Sequence, residues 1–98
     1  MSVSDLTEQQ RELLLRTIHE LLSRSATGLT AAGARNAVAA IEDDLARKSR
    51  CQKVRNRIGF DPPLSLIVDA LCGMEERGAV TREDGDEVTL WRAKRLAK

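Results

Sequence analysis

The chemistry most visible in this chain is charge held in place by spacing. Arg47, Lys48, Arg50, Lys53, Arg55 and Arg57 fall within twelve residues that contain no acid. A second basic cluster, Arg92, Lys94, Arg95 and Lys98, closes the chain. The formal net charge of +1 hides this segregation: residues 1–46 carry −3, 47–58 carry +6, 59–90 carry −6 and 91–98 carry +4. Clustered Lys and Arg in a near-neutral protein suit a polyanion, because each cation that neutralises a phosphate releases a condensed counterion. Gln52 and Asn56, inside the first cluster, carry amides of the kind that pair with base edges. The plainer reading of the two clusters is a solvated helix end and a frayed cationic tail.

Other chemistries find little support. The chain has one histidine, His19, and two cysteines, Cys51 and Cys72, with no CxxC pair. That excludes the usual Cys/His zinc sites, and no metal or cofactor is expected. No glycine-rich phosphate loop and no G-x-S-x-G element is present, and His19 has no nearby cysteine and no serine in a recognisable nucleophile motif, so the chain reads as non-enzymatic. Glu42, Asp43 and Asp44 lack the alternate spacing and glycine of a calcium loop and read as a solvated face, with Asp43–Arg47 and Asp44–Lys48 in the favourable i,i+4 order. Phe60 and Trp91 are the only aromatics, too few for a base-stacking platform. Both cysteines fall in apolar phase and read as buried or half-buried thiols. No apolar run approaches the roughly 18 residues of a membrane span and no signal peptide is visible. The expected setting is therefore intracellular, cytoplasmic or associated with nucleoid or nucleus.

The elements that must position these charges are mostly helical. Met1 to Ser4 reads as a loose lead-in. Thr7-x-x-Gln10 is a capping box, and the helix it opens runs to about Arg24 with Leu14, Leu15, Ile18, Leu21 and Leu22 inward. Leu6 and Leu13 fall on the opposite side, where they could mark a dimer or partner contact. Thr30 caps a second helix whose inner face is Ala34, Val38, Ile41 and Leu45. The apolar phase slips near Ser49 and resumes at Cys51, Val54 and Ile58, so this helix bends or a short third one begins. Its outer face would be Gln52, Lys53, Arg55, Asn56 and Arg57. Gly59 ends it and Phe60 plugs the core.

The stretch from Asp61 to Trp91 carries the clearest signals. Asp61 suits an N-cap and Pro62 the first helical position. Leu64, Ile67, Val68, Leu71 and Met74 give one apolar face, and Gly78 suits the position after the C-cap. Two β-forming runs follow, Ala79 to Arg82 and Glu87 to Trp91. A three-residue loop, Glu83-Asp84-Gly85, with Gly85 in the left-handed region, would oppose Arg82 to Asp86 and Val80 to Val88. Trp91 would then lie on the outer face. The expected fold is one domain over 1–98, mainly α with a C-terminal β-hairpin: a winged helix-turn-helix of three to four helices plus wing, with a basic tail over 93–98.

The words IVDALCGMEERGAVTRE, Ile67 to Glu83, resemble the third helix and wing of bacterial winged-helix regulators of the MarR kind. The order LTEQQRELLLRTIHELL, a Thr-capped second helix, Cys51, IGFDPPLSLIVDAL and MEERGAV is similar to the C-terminal winged-helix domain of Orc/Cdc-type replication initiators, with a longer segment between Thr30 and Gly59. Both resemblances imply duplex DNA as partner, in transcription regulation or replication, with the third helix in the major groove. Yet the outward face expected for that helix is Ser65, Leu66, Asp69, Gly73 and Glu76, and the wing carries Glu83, Asp84, Asp86 and Glu87. Two readings follow. In one, duplex DNA is bound through Arg47, Lys48, Arg50, Gln52, Lys53, Arg55, Asn56 and Arg57 together with Arg92, Lys94 and Arg95. In the other, the chain is a protein-interaction module that docks through its acidic third helix and wing onto a partner protein or a second copy.

Overall fold

The computed structural model describes residues 2–41 and 57–94. Within them the order is a 3-10 turn at Val3–Asp5, α1 (Glu8–Arg24), α2 (Ala31–Ala40), α3 (Leu64–Glu76), β1 (Val80–Asp84) and β2 (Thr89–Ala93). The described chain is mainly helical and ends in an antiparallel hairpin, a layout consistent with a winged helix. None of its helices is long and apolar enough to cross a membrane.

Local chemistry sets the helix ends. The Thr7 hydroxyl accepts from the Gln10 N–H, and the Gln10 side chain accepts from the Thr7 N–H, so the expected capping box closes. Thr30 likewise accepts from the Gly33 N–H at the start of α2. At the end of α3, Gly78 (φ 77°) lets its N–H reach the Glu75 carbonyl while the Ala79 N–H reaches that of Met74. These are the paired bonds of a Schellman motif, and they turn the chain into β1.

The core is aliphatic. Leu14, Ile18 and Leu22 of α1 meet Ala34 and Val38 of α2, Leu66, Ile67, Ala70, Leu71 and Met74 of α3, and Val80 and Trp91 of the hairpin. Leu6 and Leu13 are half-buried against this core, so they are not an outward pair free for a dimer contact. The lead-in is also tied down: the Val3 N–H donates to Asp69 Oδ2 at 2.8 Å.

Four expectations change in this region. α3 starts at Leu64 with Pro63 as N-cap, because Asp61 is drawn away to Arg35. Its buried stripe is Leu66, Ile67, Ala70, Leu71 and Met74, while Leu64 (48% exposed) and Val68 (37%) face outward. Ala70 counts for little in a hydrophobic pattern, yet its small side chain lets α3 approach the core along the Leu66–Ala70–Met74 row. α2 ends at Ala40, with Ile41 extended rather than continuing the inner face. Leu45 and the expected bend near Ser49 lie outside the described residues.

The fourth change is the hairpin register. Val80 pairs with Ala93, Arg82 with Trp91 and Asp84 with Thr89, around the loop Gly85–Val88. Gly85 does not take the left-handed conformation; its N–H donates to the Val88 carbonyl at 2.8 Å. A side chain there would meet that same carbonyl oxygen at 2.9 Å. The register puts Val80 and Trp91 on the core face and leaves Val88 53% exposed. Burying an indole removes far more apolar surface from water than burying a valine. Trp91 is thus in the core, not on the outer face.

Thr17 sits in the same core with a hydroxyl that has no hydrogen-bond partner among the described residues. Burying a hydroxyl unpaired costs about 1–3 kcal/mol by mutational scales. Thr17→Val, close in shape and free of that penalty, is expected to stabilise the fold by about 1 kcal/mol. A rise in the urea midpoint at unchanged slope would show it; a fall would mean the hydroxyl has a partner.

Candidate functional site

Charge separates on this fold as it does along the chain, but several of its members are already engaged. Arg57 Nη1 donates to Glu20 Oε2 at 2.5 Å, and its side chain is only 22% exposed. Its N–H also donates to the Ile41 carbonyl at 2.9 Å. Arg57 therefore anchors the end of the basic segment to α1, and as a phosphate contact it is a correction to the expected site. Glu20 also accepts from Arg24 at 2.7 Å. The Arg57 hydrogen bond first and then the Arg57 charge hold the Glu20 carboxyl below the usual glutamate range, against an opposing effect of burial that exceeds the further help from Arg24.

Arg47, Lys48, Arg50, Gln52, Lys53, Arg55, Asn56 and Arg95 lie outside the described residues. Of the C-terminal cluster, Arg92 belongs to β2 rather than to a tail, and its guanidinium meets Glu83 at 3.0 Å. Lys94 is exposed and forms no ion pair among the described residues, while its N–H donates to the Ala79 carbonyl. Lys94 and Arg92 line a groove of about 640 Å³ with His19, Leu22, Ser23 and Ser25 at the C-terminal end of α1. Nothing in the sequence near His19 marks it out; the closing of the hairpin onto α1 brings it beside Arg92 and Lys94.

The acidic face is real but differs in composition from the expected one. Leu66 is fully buried and drops out, because the stripe of α3 rotates to include it. Ser65, Asp69 and Glu76 are exposed, with Asp69 also holding the Val3 N–H. Leu64, Val68 and Cys72 join them, at i, i+4 and i+8 on the helix. Cys72 is an exposed free thiol rather than a buried one; Cys51 lies outside the described residues. On the wing, Glu83 pairs with Arg92, and Asp84 accepts from the Thr89 hydroxyl and lies 3.6 Å from Arg82. Asp86 and Glu87 are exposed at the tip. Arg82 lies over the Trp91 ring, 5.8 Å from its centroid, and 3.5 Å from Glu75. The cations of the hairpin are therefore matched by its own acids, while Arg77 at the α3 C-cap and Arg11 of α1 line a pocket with Asp69 and Glu76.

Arg35 is a residue that sequence reasoning missed. Its Nε donates to the Pro62 carbonyl at 2.9 Å and its Nη2 to Asp61 at 2.7 Å, which pins the start of α3 to α2. No local signal marks it, since the partners are 26 and 27 positions away. Among the described residues no group of three His, Cys, Asp or Glu side chains could hold a metal ion. Comparison with known proteins gives no match: no family model, curated protein or solved structure is similar to this chain.

The Glu20–Arg57 pair makes a pH dependence that can be measured. The folded carboxyl titrates below its unfolded value, so its contribution is complete above the ordinary glutamate range and is lost as pH falls through the lowered folded value. The stability gap between the parent and Glu20→Gln, read from urea unfolding, is expected to be widest near neutral pH and to narrow in acid. A gap independent of pH would show that the charge of Glu20 contributes nothing.

Proposed function

We propose that this chain is a non-enzymatic winged-helix protein that binds duplex DNA through its basic segment 47–57 and the cluster Arg92, Lys94 and Arg95, serving transcription regulation or replication. The observation that carries the reading is the anchoring of the basic segment. Ile41 and Arg57 are joined by a backbone hydrogen bond, which brings the two ends of the stretch 42–56 together. In sequence that stretch carries the acids Glu42, Asp43 and Asp44 first and then five cations, Arg47, Lys48, Arg50, Lys53 and Arg55, with no acid among them. A cluster of this density suits successive phosphates. The likeness of Ile67–Glu83 to the third helix and wing of MarR-type regulators, and of the wider order of elements to Orc/Cdc-type initiators, supports the same class.

The test is fluorescence anisotropy of a labelled random duplex of about 25 base pairs at low and moderate salt. The affinity is expected to fall by roughly 0.9 log unit per phosphate contact for each log unit of salt. Arg50→Glu, Lys53→Glu and Arg55→Glu together are expected to abolish binding. Arg57 is left intact in that variant because of its contact with Glu20. No binding at low salt would end this reading.

A second reading is favoured by one feature, the exposed row Leu64–Val68–Cys72 bordered by Asp69 and Glu76 on the helix that would otherwise read bases. It makes the α3 face a docking surface for a basic protein surface, a second copy included. For a second copy, sedimentation velocity should show concentration-dependent association that salt weakens and that Val68→Lys removes. A monomer at all concentrations would exclude self-association.

A further inference from the structure

One edge of the hairpin sheet is closed and the other is open. Residues of an antiparallel pair point their N–H and C=O alternately toward the neighbouring strand and away from it. The Ala79 carbonyl accepts from the Lys94 N–H at 2.9 Å, and the Gly85 N–H donates to the Val88 carbonyl at 2.8 Å. In the register of the hairpin the odd-numbered residues of β1 therefore face β2. Trp91, opposite Arg82, follows the same alternation and sends its own N–H and C=O outward to Leu29. Val80, Arg82 and Asp84 thus direct their main-chain groups off the free side of β1. Among the described residues no main-chain partner meets them. Thr81, Arg82, Glu83 and Asp84 are exposed along that edge. Such edges are blunted by proline, a bulge, a covering element or charge. β1 has no proline and pairs without a bulge over its five residues, so charge alone guards it.

We propose that β1 pairs antiparallel with β1 of a second copy of this chain, which joins the two hairpins into one continuous sheet about a two-fold axis. Laid in full overlap, Val80 faces the second copy's Asp84, Thr81 its Glu83, and Arg82 its Arg82. All the residues whose main-chain groups point outward then fall in hydrogen-bonded pairs. The charges suit this arrangement. No acid of the strand faces an acid, since Asp84 falls opposite valine and Glu83 opposite threonine, and Glu83 is held by Arg92. Arg82 makes the one like-charge pair, which on its own would destabilise the contact. Its guanidinium, however, lies over the Trp91 ring, 3.5 Å from Glu75 and 3.6 Å from Asp84, so it is turned toward β2 and already matched. Beyond the strand, exposed Arg77 precedes the base of β1, and exposed Asp86 and Glu87 follow its tip. A two-fold axis at Arg82 sets base against tip, so the basic end of each copy meets the acidic end of the other. A parallel strand gains no such reciprocity. Pairing through β1 is independent of duplex binding, and it differs from association through the Leu64–Val68–Cys72 row.

The experiment follows the full chain by sedimentation velocity over a range of concentrations, with amide hydrogen exchange read by NMR at either end of that range. A monomer–dimer equilibrium is expected. In dilute protein the amide protons of Val80, Arg82 and Asp84 exchange freely, while those of Thr81 and Glu83 are protected. In concentrated protein exchange at Val80, Arg82 and Asp84 is expected to slow by about tenfold or more. Arg82→Pro removes an outward N–H that no bond of the single chain uses. That variant is expected to keep the Trp91 fluorescence of the parent and to be monomeric at every concentration, whereas Val68→Lys dimerises like the parent. A parent chain that stays monomeric would overturn the inference. So would a dimer whose exchange at Val80, Arg82 and Asp84 does not change with concentration, or one lost in Val68→Lys and kept in Arg82→Pro. The exchange pattern of the parent needs no variant and decides the matter even where Arg82→Pro fails to fold.

Discussion

The burial of Trp91 is the constraint on which the rest of the structure depends. Its side chain is 4% exposed, and its backbone is paired on both edges of β2. On one edge it faces Arg82 of β1. On the other, its N–H and carbonyl bond the carbonyl and N–H of Leu29 at 2.7 and 3.0 Å. That bridge ties the connection between α1 and α2 to the hairpin and gives the sheet a third, single-residue edge. It needs the glycine before Leu29: Gly28 has φ 84°, and a Cβ there would lie 2.8 Å from Arg92 Cγ and 3.0 Å from the Trp91 carbonyl. A left-handed backbone and a close approach coincide at that position, and glycine satisfies both.

Two ion pairs then place the segments on either side of residues 42–56. Arg35 holds Asp61 and the Pro62 carbonyl, and Arg57 holds Glu20. Pairs this accessible to water add little to stability, typically about 0–1 kcal/mol. Their effect is geometric. Arg35 sets where α3 begins, and Arg57 fixes the chain just before α3 to α1. Among the described residues, Asp69 and Glu76 are exposed on α3 and Asp86 and Glu87 at the hairpin tip, while Arg16 is exposed on α1 and Lys94 just after β2.

Much of the fold is legible from local chemistry. The Thr7–Gln10 box, the Thr30 cap and the glycine after α3 occur where residue type and spacing place them, because each acts through bonds reaching no more than five residues along the chain. The candidate site is less legible. The density of Arg and Lys over 47–57 is plain in sequence, but that Arg57 is spent on Glu20 and Arg92 on Glu83 is not. Neither is the position of His19 beside Lys94, which requires the hairpin to fold back across α1.

α3 and the hairpin show where the boundary falls. Leu64, Leu66, Ile67, Val68 and Leu71 permit two overlapping apolar stripes, and periodicity alone does not choose between them. The choice of Leu66 over Leu64 and Val68 comes from the anchored start of the helix and from the close approach allowed by Ala70. In the hairpin, the alternation of Val80, Val88 and Leu90 suits a three-residue loop, yet the register adopted exposes Val88 and buries Trp91. The sequence by itself determined the helices α1 and α3, the Thr7 and Thr30 caps, the glycine that ends α3, the strand-forming runs and the segregation of charge, since propensity, capping and composition act over a few neighbouring residues. Tertiary structure alone decided the face of α3, the register of the wing and which cations remain free, because those depend on apolar area and ion pairs contributed by residues remote in the chain.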